Sequence, residues 1–208
     1  MNDEKQTQKI GSTKWLYQEV WQHAIDNHMP QTERALGQMR RAHDGQYRDG
    51  MDHEPYIIHP LTMAYHAITL KIDSDELLAA CLLHDVIEDC DVKVEELEVS
   101  PEVQQVVQLL TFREVPGMSR EEAKEHYFAK IAEHKMASIV KILDRCNNVS
   151  TMAAAFSRKR MTRYIDETER LVMPIVGKVL NEYEEYRDAA FAIRYQMTSV
   201  IDSISKML

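Results

Sequence analysis

The run Leu77-Leu78-Ala79-Ala80-Cys81-Leu82-Leu83 constrains this chain more than any other. Its apolar residues fill more than one stripe, so a helix over it cannot keep one face in water and must be buried on several sides. The run ends in His84-Asp85-Val86-Ile87-Glu88-Asp89, which places an imidazole and three carboxylates where buried structure gives out. Burying such groups costs several kcal/mol each unless a partner or a metal compensates. On one continuous helix His84 and Glu88 stand at i and i+4, as do Asp85 and Asp89. The first member of each pair could hold a cation, and the second would meet whatever approaches it. For a lone His-Asp dipeptide a polar helix end running into solvent is the favoured reading, because such dipeptides arise by chance, so further ligands have to come from elsewhere in the chain.

The segments around this run read as helices. Apolar residues at near-helical spacing over Trp15–His28 are stopped by Met29-Pro30, because the residue before proline avoids the α region. A helix over Thr32–His43 ends at Asp44-Gly45, and the turn-rich stretch Gln46–Pro55 reads as a loop. Pro60 suits the first turn of a helix over Leu61–Leu70, and Asp73-Ser74-Asp75-Glu76 has the form of a capping box opening the helix that carries His84. Short helices are expected over Val94–Leu97 and Pro101–Leu110, and Ser119-Arg120-Glu121-Glu122 caps another reaching His134. Lys135–Asn148 is apolar enough to be buried, and Arg158–Leu180 and Glu182–Leu208 close the chain as long helices. Without strand alternation or an internal repeat, the expected class is all-α: a lead-in without regular structure over 1–12, a helical domain over 13–180, and a C-terminal helix over 181–208 packed on it. That last helix carries Tyr183, Tyr186, Ala190, Ile193, Met197, Val200 and Ile204 at steps of three and four, a core stripe or an interhelical seam for a homodimer.

Composition narrows the function. The net charge of −9 argues against a general nucleic-acid binder, which needs a basic face, yet leaves room for a small phosphorylated nucleotide or a divalent ion. No apolar run reaches membrane-spanning length, and the polar N-terminus lacks a signal-peptide core. Three cysteines without a Cys-x-x-Cys pair fit reduced thiols, so the cytoplasm is the expected location.

Two further segments supply ligand types. His59 follows Tyr56-Ile57-Ile58, and Asp144 follows the apolar run Ile139–Leu143. His59 alone reads as a core histidine bonded to a carbonyl. Asp144 reads as the partner of Lys141 or Arg145, or as a metal ligand. Together with His84 and Asp85, they are residues of the kind that bind Mn²⁺, Fe²⁺ or Zn²⁺. Three apolar segments thus each end in a ligand type where no solvated face is expected. His43 lies near a helix end, where capping or ligand contact would explain it equally. Arg48 opens the irregular loop. The basic run Arg158–Arg163 opposes the helix dipole, which solvation with nearby acids or a polyphosphate ligand would offset.

Taken together, these residues resemble the hydrolase domain of the RelA/SpoT family, within the HD metal-dependent phosphohydrolases. Ala42-His43-Asp44-Gly45-Gln46-Tyr47-Arg48 is similar to the family's Ala-His-x-Gly-Gln-x-Arg, and Glu54-Pro55-Tyr56-Ile57-Ile58-His59-Pro60 to its Glu-Pro-Tyr-Ile-x-His-Pro. His84-Asp85-Val86-Ile87-Glu88-Asp89 matches His-Asp-x-x-Glu-Asp, and Lys141-Ile142-Leu143-Asp144-Arg145-Cys146-Asn147-Asn148 is similar to Lys-Leu-Ala-Asp-Arg-x-x-Asn. Glu167-Thr168 with Pro174 completes an ordered set over roughly residues 34–176. The resemblance implies an HD-domain helical bundle in which His59, His84, Asp85 and Asp144 bind one Mn²⁺. It implies that Glu88 and Asp89 activate water, and that Arg48, Asn148, Arg160 and Tyr164 contact the substrate. The implied activity removes the 3′-pyrophosphate of guanosine tetra- and pentaphosphate, giving GDP or GTP and pyrophosphate.

Two stretches depart from the family pattern. Asp49 follows Arg48 where a basic residue is usual, in a loop to Pro55 about two residues longer than usual, and Asn147-Asn148-Val149-Ser150-Thr151 replaces His-Asn-Met-Arg-Thr. The first change falls where the base would be held. It leaves room for another phosphorylated nucleotide (an adenosine analogue or a 2′- or 3′-phosphorylated dinucleotide). A catalytically silent alarmone-binding protein is the rival from another class, against which the intact Glu88-Asp89 pair argues. At 208 residues, alarmone synthesis is not expected.

Overall fold

The computed structural model describes residues 9–50 and 54–208, so the expected lead-in over 1–12 lies mostly outside the described residues. Helices α1 (Thr13–Asp26), α2 (Pro30–Ala42), α3 (Ile58–Thr69), α4 (Asp75–Leu83) and α5 (Val86–Asp89) form the first half. After a 3₁₀ turn at Val94–Glu96 come α6 (Pro101–Leu110), α7 (Arg120–Ala132), α8 (Lys135–Ala155), α9 (Arg158–Glu167), α10 (Met173–Glu182) and α11 (Arg187–Ser205). The described residues contain no strand, only an isolated bridge between Tyr47 and Pro55. None of the described helices is long and apolar enough to cross a membrane.

Local chemistry explains most boundaries. The Ser12, Ser74 and Ser119 hydroxyls accept from the amides of Trp15, Leu77 and Glu122, satisfying donors that a helix start leaves unpaired. At Ser119 the Glu122 carboxylate reaches back to complete a capping box. Pro30 and Pro101 occupy first turns, where a missing N–H costs nothing.

Helix α4 is the axis of the bundle. All of Leu77–Leu83 is buried, walled by α2, α3, α6 and α8, as its all-round apolar character requires. At roughly 1.5–3 kcal/mol for each large apolar side chain, this helix is a principal source of stability. Helix α8 is the second axis. It touches α3, α4, α6, α7, α10 and α11, and buries Ile139, Val140, Ile142 and Leu143 along with Asp144 and Arg145.

The structure corrects the expected elements in four places. The helix carrying His84 does not continue to Glu88: α4 ends at Leu83, the chain bends through His84 and Asp85, and α5 restarts at Val86. Helix α8 runs past Asn148 to Ala155, because Val149 and Met152 pack into a second cluster with Ile165, Ile201 and Ile204. The single helix expected over Arg158–Leu180 is interrupted by a π turn at Thr168–Val172, where the Met173 amide bonds back to Thr168. Pro174 accounts for this: it lacks an N–H and its ring crowds the carbonyl four residues earlier, and the wider turn relieves both. The last helix begins at Arg187 rather than Glu182, and Ala190, Ile193, Met197 and Ile204 of its stripe are buried inside this chain. The helix packs on α8 and α10, so these four residues serve the core of this chain.

Candidate metal centre and cleft

The bend after α4, the first turn of α3 and the middle of α8 converge on one corner. There, ligand atoms of His59, His84 and Asp144 lie within 4.8 Å of one another, all three residues buried. The two Nε2 atoms are 3.3 Å apart, and Asp144 Oδ1 is 3.3 Å from His59 Nε2 and 3.9 Å from His84 Nε2. The outer nitrogens are already committed. His84 Nδ1 donates to the Cys81 carbonyl at 2.9 Å, and His59 Nδ1 to Asn147 Oδ1 at 2.6 Å. In their neutral forms both rings therefore direct Nε2 lone pairs at each other and at a carboxylate. Burial, reinforced by His59, holds the His84 imidazole below the ordinary histidine range despite Asp85 and Asp144, so neutral is its resting form. Three electron-rich atoms converging without a proton among them are what a divalent cation resolves. Nitrogen and carboxylate donors, with outer nitrogens oriented by a carbonyl and an amide, are the donor set of such sites.

Asp85 stands beside the trio. Its Oδ2 is 3.5 Å from His84 Nε2, but its oxygens are held from the other side: His43 Nε2 lies 3.2 Å from Oδ1, and the Tyr56 hydroxyl donates to Oδ2 at 2.7 Å. Burial would raise its pKa, but His84, His43 and His59 together hold the carboxyl well below the usual range. Asp85 is thus a carboxylate next to the corner but outside the clustered trio. Asp144 faces both ways: Oδ1 meets the imidazoles while Oδ2 accepts from Lys141 at 2.9 Å. Of the two expected partners it takes Lys141, while Arg145 pairs with Glu167 at 2.8 Å and lies over the Tyr164 ring at 4.2 Å.

A cleft of about 440 Å³ opens beside this corner, and Arg48, Glu88, Asp89, Asn148, Arg160 and Tyr164 all line it. Glu88 Oε2 accepts from the Phe112 amide at 3.0 Å. Desolvation of the carboxyl by surrounding protein outweighs that bond and, with Asp89 and Asp144 nearby, raises its pKa. The Tyr56 hydroxyl shares its single proton between Asp85 and Asp89, 3.0 Å from Asp89 Oδ2, so the i and i+4 carboxylates are tied through a ring from another segment. Arg48 Nη2 donates to Asn148 Oδ1, and Asn148 Nδ2 donates to Asp144 Oδ1, both at 2.5 Å. Arg48 is therefore linked to the metal corner through Asn148. Of the basic run on α9, only Arg160 reaches the cleft, packed 3.7 Å over the Phe156 ring. Arg158 instead bonds the Leu208 carbonyl at 3.1 Å.

The sequence left His43 between helix capping and ligand contact and gave no role to Tyr56. The His43 side chain is fully buried, with Nδ1 2.8 Å from Gln46 Oε1, while the Gln46 amide nitrogen points to the Asp89 carbonyl. Gln46 thus fixes the proton on Nδ1. A proton on Nε2 as well makes the ring a double donor, and although burial opposes charge, Asp85 lifts the pKa above the histidine norm. Both residues sit inside motifs already quoted, Ala42–Arg48 and Glu54–Pro60; their position there was the available signal. His43→Ala is expected to weaken divalent-metal binding about 10–100-fold, since Asp85 loses the group that aims it. Metal titration with unchanged far-UV circular dichroism checks this.

Fold and site together define an all-α protein with a buried His/Asp cation corner opening into a polar cleft with both acid and basic side chains. The chain belongs to the HD domain family, whose model matches residues 35–168. It is 35% identical over 172 residues to a guanosine-3′,5′-bis(diphosphate) 3′-pyrophosphohydrolase of Vibrio cholerae, covering 76% of this chain and 24% of that one. It is 31% identical over 172 residues to the bifunctional (p)ppGpp synthase/hydrolase SpoT of Escherichia coli, with the same coverage. The chain thus spans about a quarter of the length of these relatives. A solved structure described as "A metazoan ortholog of SpoT hydrolyzes ppGpp and plays a role in starvation responses" superposes with a TM-score of 0.66 at 19% identity, covering 83% of this chain and 94% of that one. That likeness supports the fold.

Proposed function

We propose that this chain is a Mn²⁺-dependent hydrolase that removes the 3′-pyrophosphate of guanosine tetra- and pentaphosphate. The observation that carries the reading is the pair of Nε2 lone pairs and the Asp144 carboxylate converging at the edge of a cleft that also holds Glu88, Asp89 and Arg48. The names of the relatives supply the substrate class. His59, His84 and Asp144, joined by Asp85, would hold the ion, which supplies Lewis acidity and charge neutralisation at a phosphate when bound. The remaining work falls to the chain. Glu88, with Oε2 pinned by the Phe112 amide, takes the proton of the attacking water on its other oxygen. Asp89, held by Tyr56, orients that water. The water oxygen bonds to the phosphorus nearest the sugar, the bond from that phosphorus to the 3′ oxygen breaks, and the 3′ oxygen leaves with a proton. Arg48 and Arg160 neutralise the phosphate charge that a protein of net charge −9 would otherwise repel.

The test is pyrophosphate release by Mn²⁺-loaded protein from guanosine tetraphosphate. Equimolar GDP and pyrophosphate are the expected products; no release from either guanosine substrate would overturn the assignment. Binding without turnover at saturating metal would instead favour the silent alarmone-binding rival.

A further inference from the structure

We infer that Asp49 is the residue by which this cleft selects guanine over adenine, an inference resting on the nucleotide reading above. Asp49 lines the cleft, is exposed, and takes no hydrogen bond or ion pair among the described residues. A carboxylate without a partner, in a cleft meant for a polyanion, is unfavourable unless the part of the ligand that meets it carries donors.

Position determines which part that is. The metal corner touches α8 at Asp144, and the loop bearing Asp49 touches α8 at its last turn. A methyl group on Gly50 would lie 2.3 Å from the Ala154 carbonyl oxygen and 2.6 Å from the Ala155 Cα, so only glycine allows this approach, and its φ of +70° asks for glycine as well. Eleven residues of helix separate Asp144 from Ala155, on the order of 16 Å. The base of the loop is held too, by the Arg48 amide on the Glu54 carbonyl at 2.9 Å and the Tyr56 amide on the Gln46 carbonyl at 2.9 Å. Asp49 therefore sits toward the end of the cleft away from Asp144. A nucleotide with its 3′ phosphates at the corner puts its base there.

The chemistry of the base edge then discriminates. Guanine presents two adjacent N–H donors, at N1 and at the exocyclic amine, which a carboxylate accepts as a bidentate pair. Adenine presents an acceptor at N1, which faces the carboxylate with like polarity. Inosine keeps one donor of the two. Asparagine at this position would offer one acceptor and one donor, which suits adenine.

The test measures binding of guanosine, inosine and adenosine 3′-diphosphates to metal-loaded wild type and Asp49→Asn by calorimetry, with pyrophosphate release read separately. The expected order for wild type is guanosine, inosine, adenosine, with roughly 100-fold or more between first and last. In Asp49→Asn that ratio should collapse at least about 30-fold, with far-UV circular dichroism unchanged. Equal binding of the three bases by wild type, no binding of any, or an unchanged ratio in Asp49→Asn would overturn the inference. Selective binding without pyrophosphate release would overturn the hydrolase reading while leaving Asp49 in its role.

Discussion

Replacing Glu88 by glutamine should lower kcat by about 10²–10⁴-fold while leaving metal content and thermal stability at wild-type values. Glutamine keeps the length and can still accept from the Phe112 amide, so the side chain stays where Glu88 is held. What it loses is the ability to take a proton. The wild-type pH profile carries a linked expectation. Because desolvation raises the Glu88 pKa, the group that must be deprotonated to act is already protonated at a pH where an ordinary glutamate is ionised. The acidic limb of kcat/KM should therefore lie higher than an ordinary glutamate would place it, and residual turnover in Glu88→Gln should lack that limb. A variant retaining most of its kcat would transfer the base role to Asp89.

The second large effect concerns stability. Lys141 and Asp144 form a pair with side chains 14% and 9% exposed, and the ammonium also lies 5.4 Å from the Tyr127 ring centroid. Burial opposes charge on both. The attraction of Asp144 nonetheless keeps Lys141 above the lysine norm, and that of Lys141 with both imidazoles keeps Asp144 well below the carboxylate norm. A depressed carboxyl contributes stability above its unfolded pKa of ~3.9, lost as pH falls through the folded value. A raised ammonium contributes below ~10.4, lost as pH rises through its own folded value. The pair therefore contributes across the whole neutral range. Asp144→Ala leaves a buried ammonium uncompensated and should cost about 3–5 kcal/mol. Adding Lys141→Met should recover most of that loss, because a flexible apolar side chain fills the same space without charge. Urea denaturation of metal-free single and double variants measures both. A double variant no more stable than the single would show that the buried ammonium is not the cause.

The sequence made the architecture legible because the signals were local. Serine caps at residues 74 and 119 and the all-round apolar α4 depend on neighbours within a turn or two. The metal corner was legible for a related reason: His59, His84 and Asp144 each end an apolar stretch, where an unpaired polar group is costly. What escaped was set by distant partners. The bend at His84–Asp85 puts the Glu88 amide on the Asp85 carbonyl at 3.0 Å, so the pair His84 and Glu88 does not share one continuous helix, whereas Asp85 and Asp89 keep the helical bond, at 2.9 Å. The grip on Asp85 comes from His43 and Tyr56, 42 and 29 residues away in sequence. Asn147-Asn148 resembles a helix end, yet α8 continues because α9 and α11 supply Ile165, Ile201 and Ile204 for Val149 and Met152 to pack on. That extra length carries Thr151, Met152 and Ala155 into the wall of the cleft.

One cation held between α3, the bend after α4, and α8 is the central expectation for this protein. Elemental analysis of protein equilibrated with Mn²⁺ and freed of excess ion tests this directly, in wild type, His59→Ala and His84→Ala. One ion per chain in wild type, and loss of most of it in each variant with the helical spectrum intact, is the result expected. Wild type that retains no ion, or variants that retain it undiminished, would contradict the assignment of these side chains.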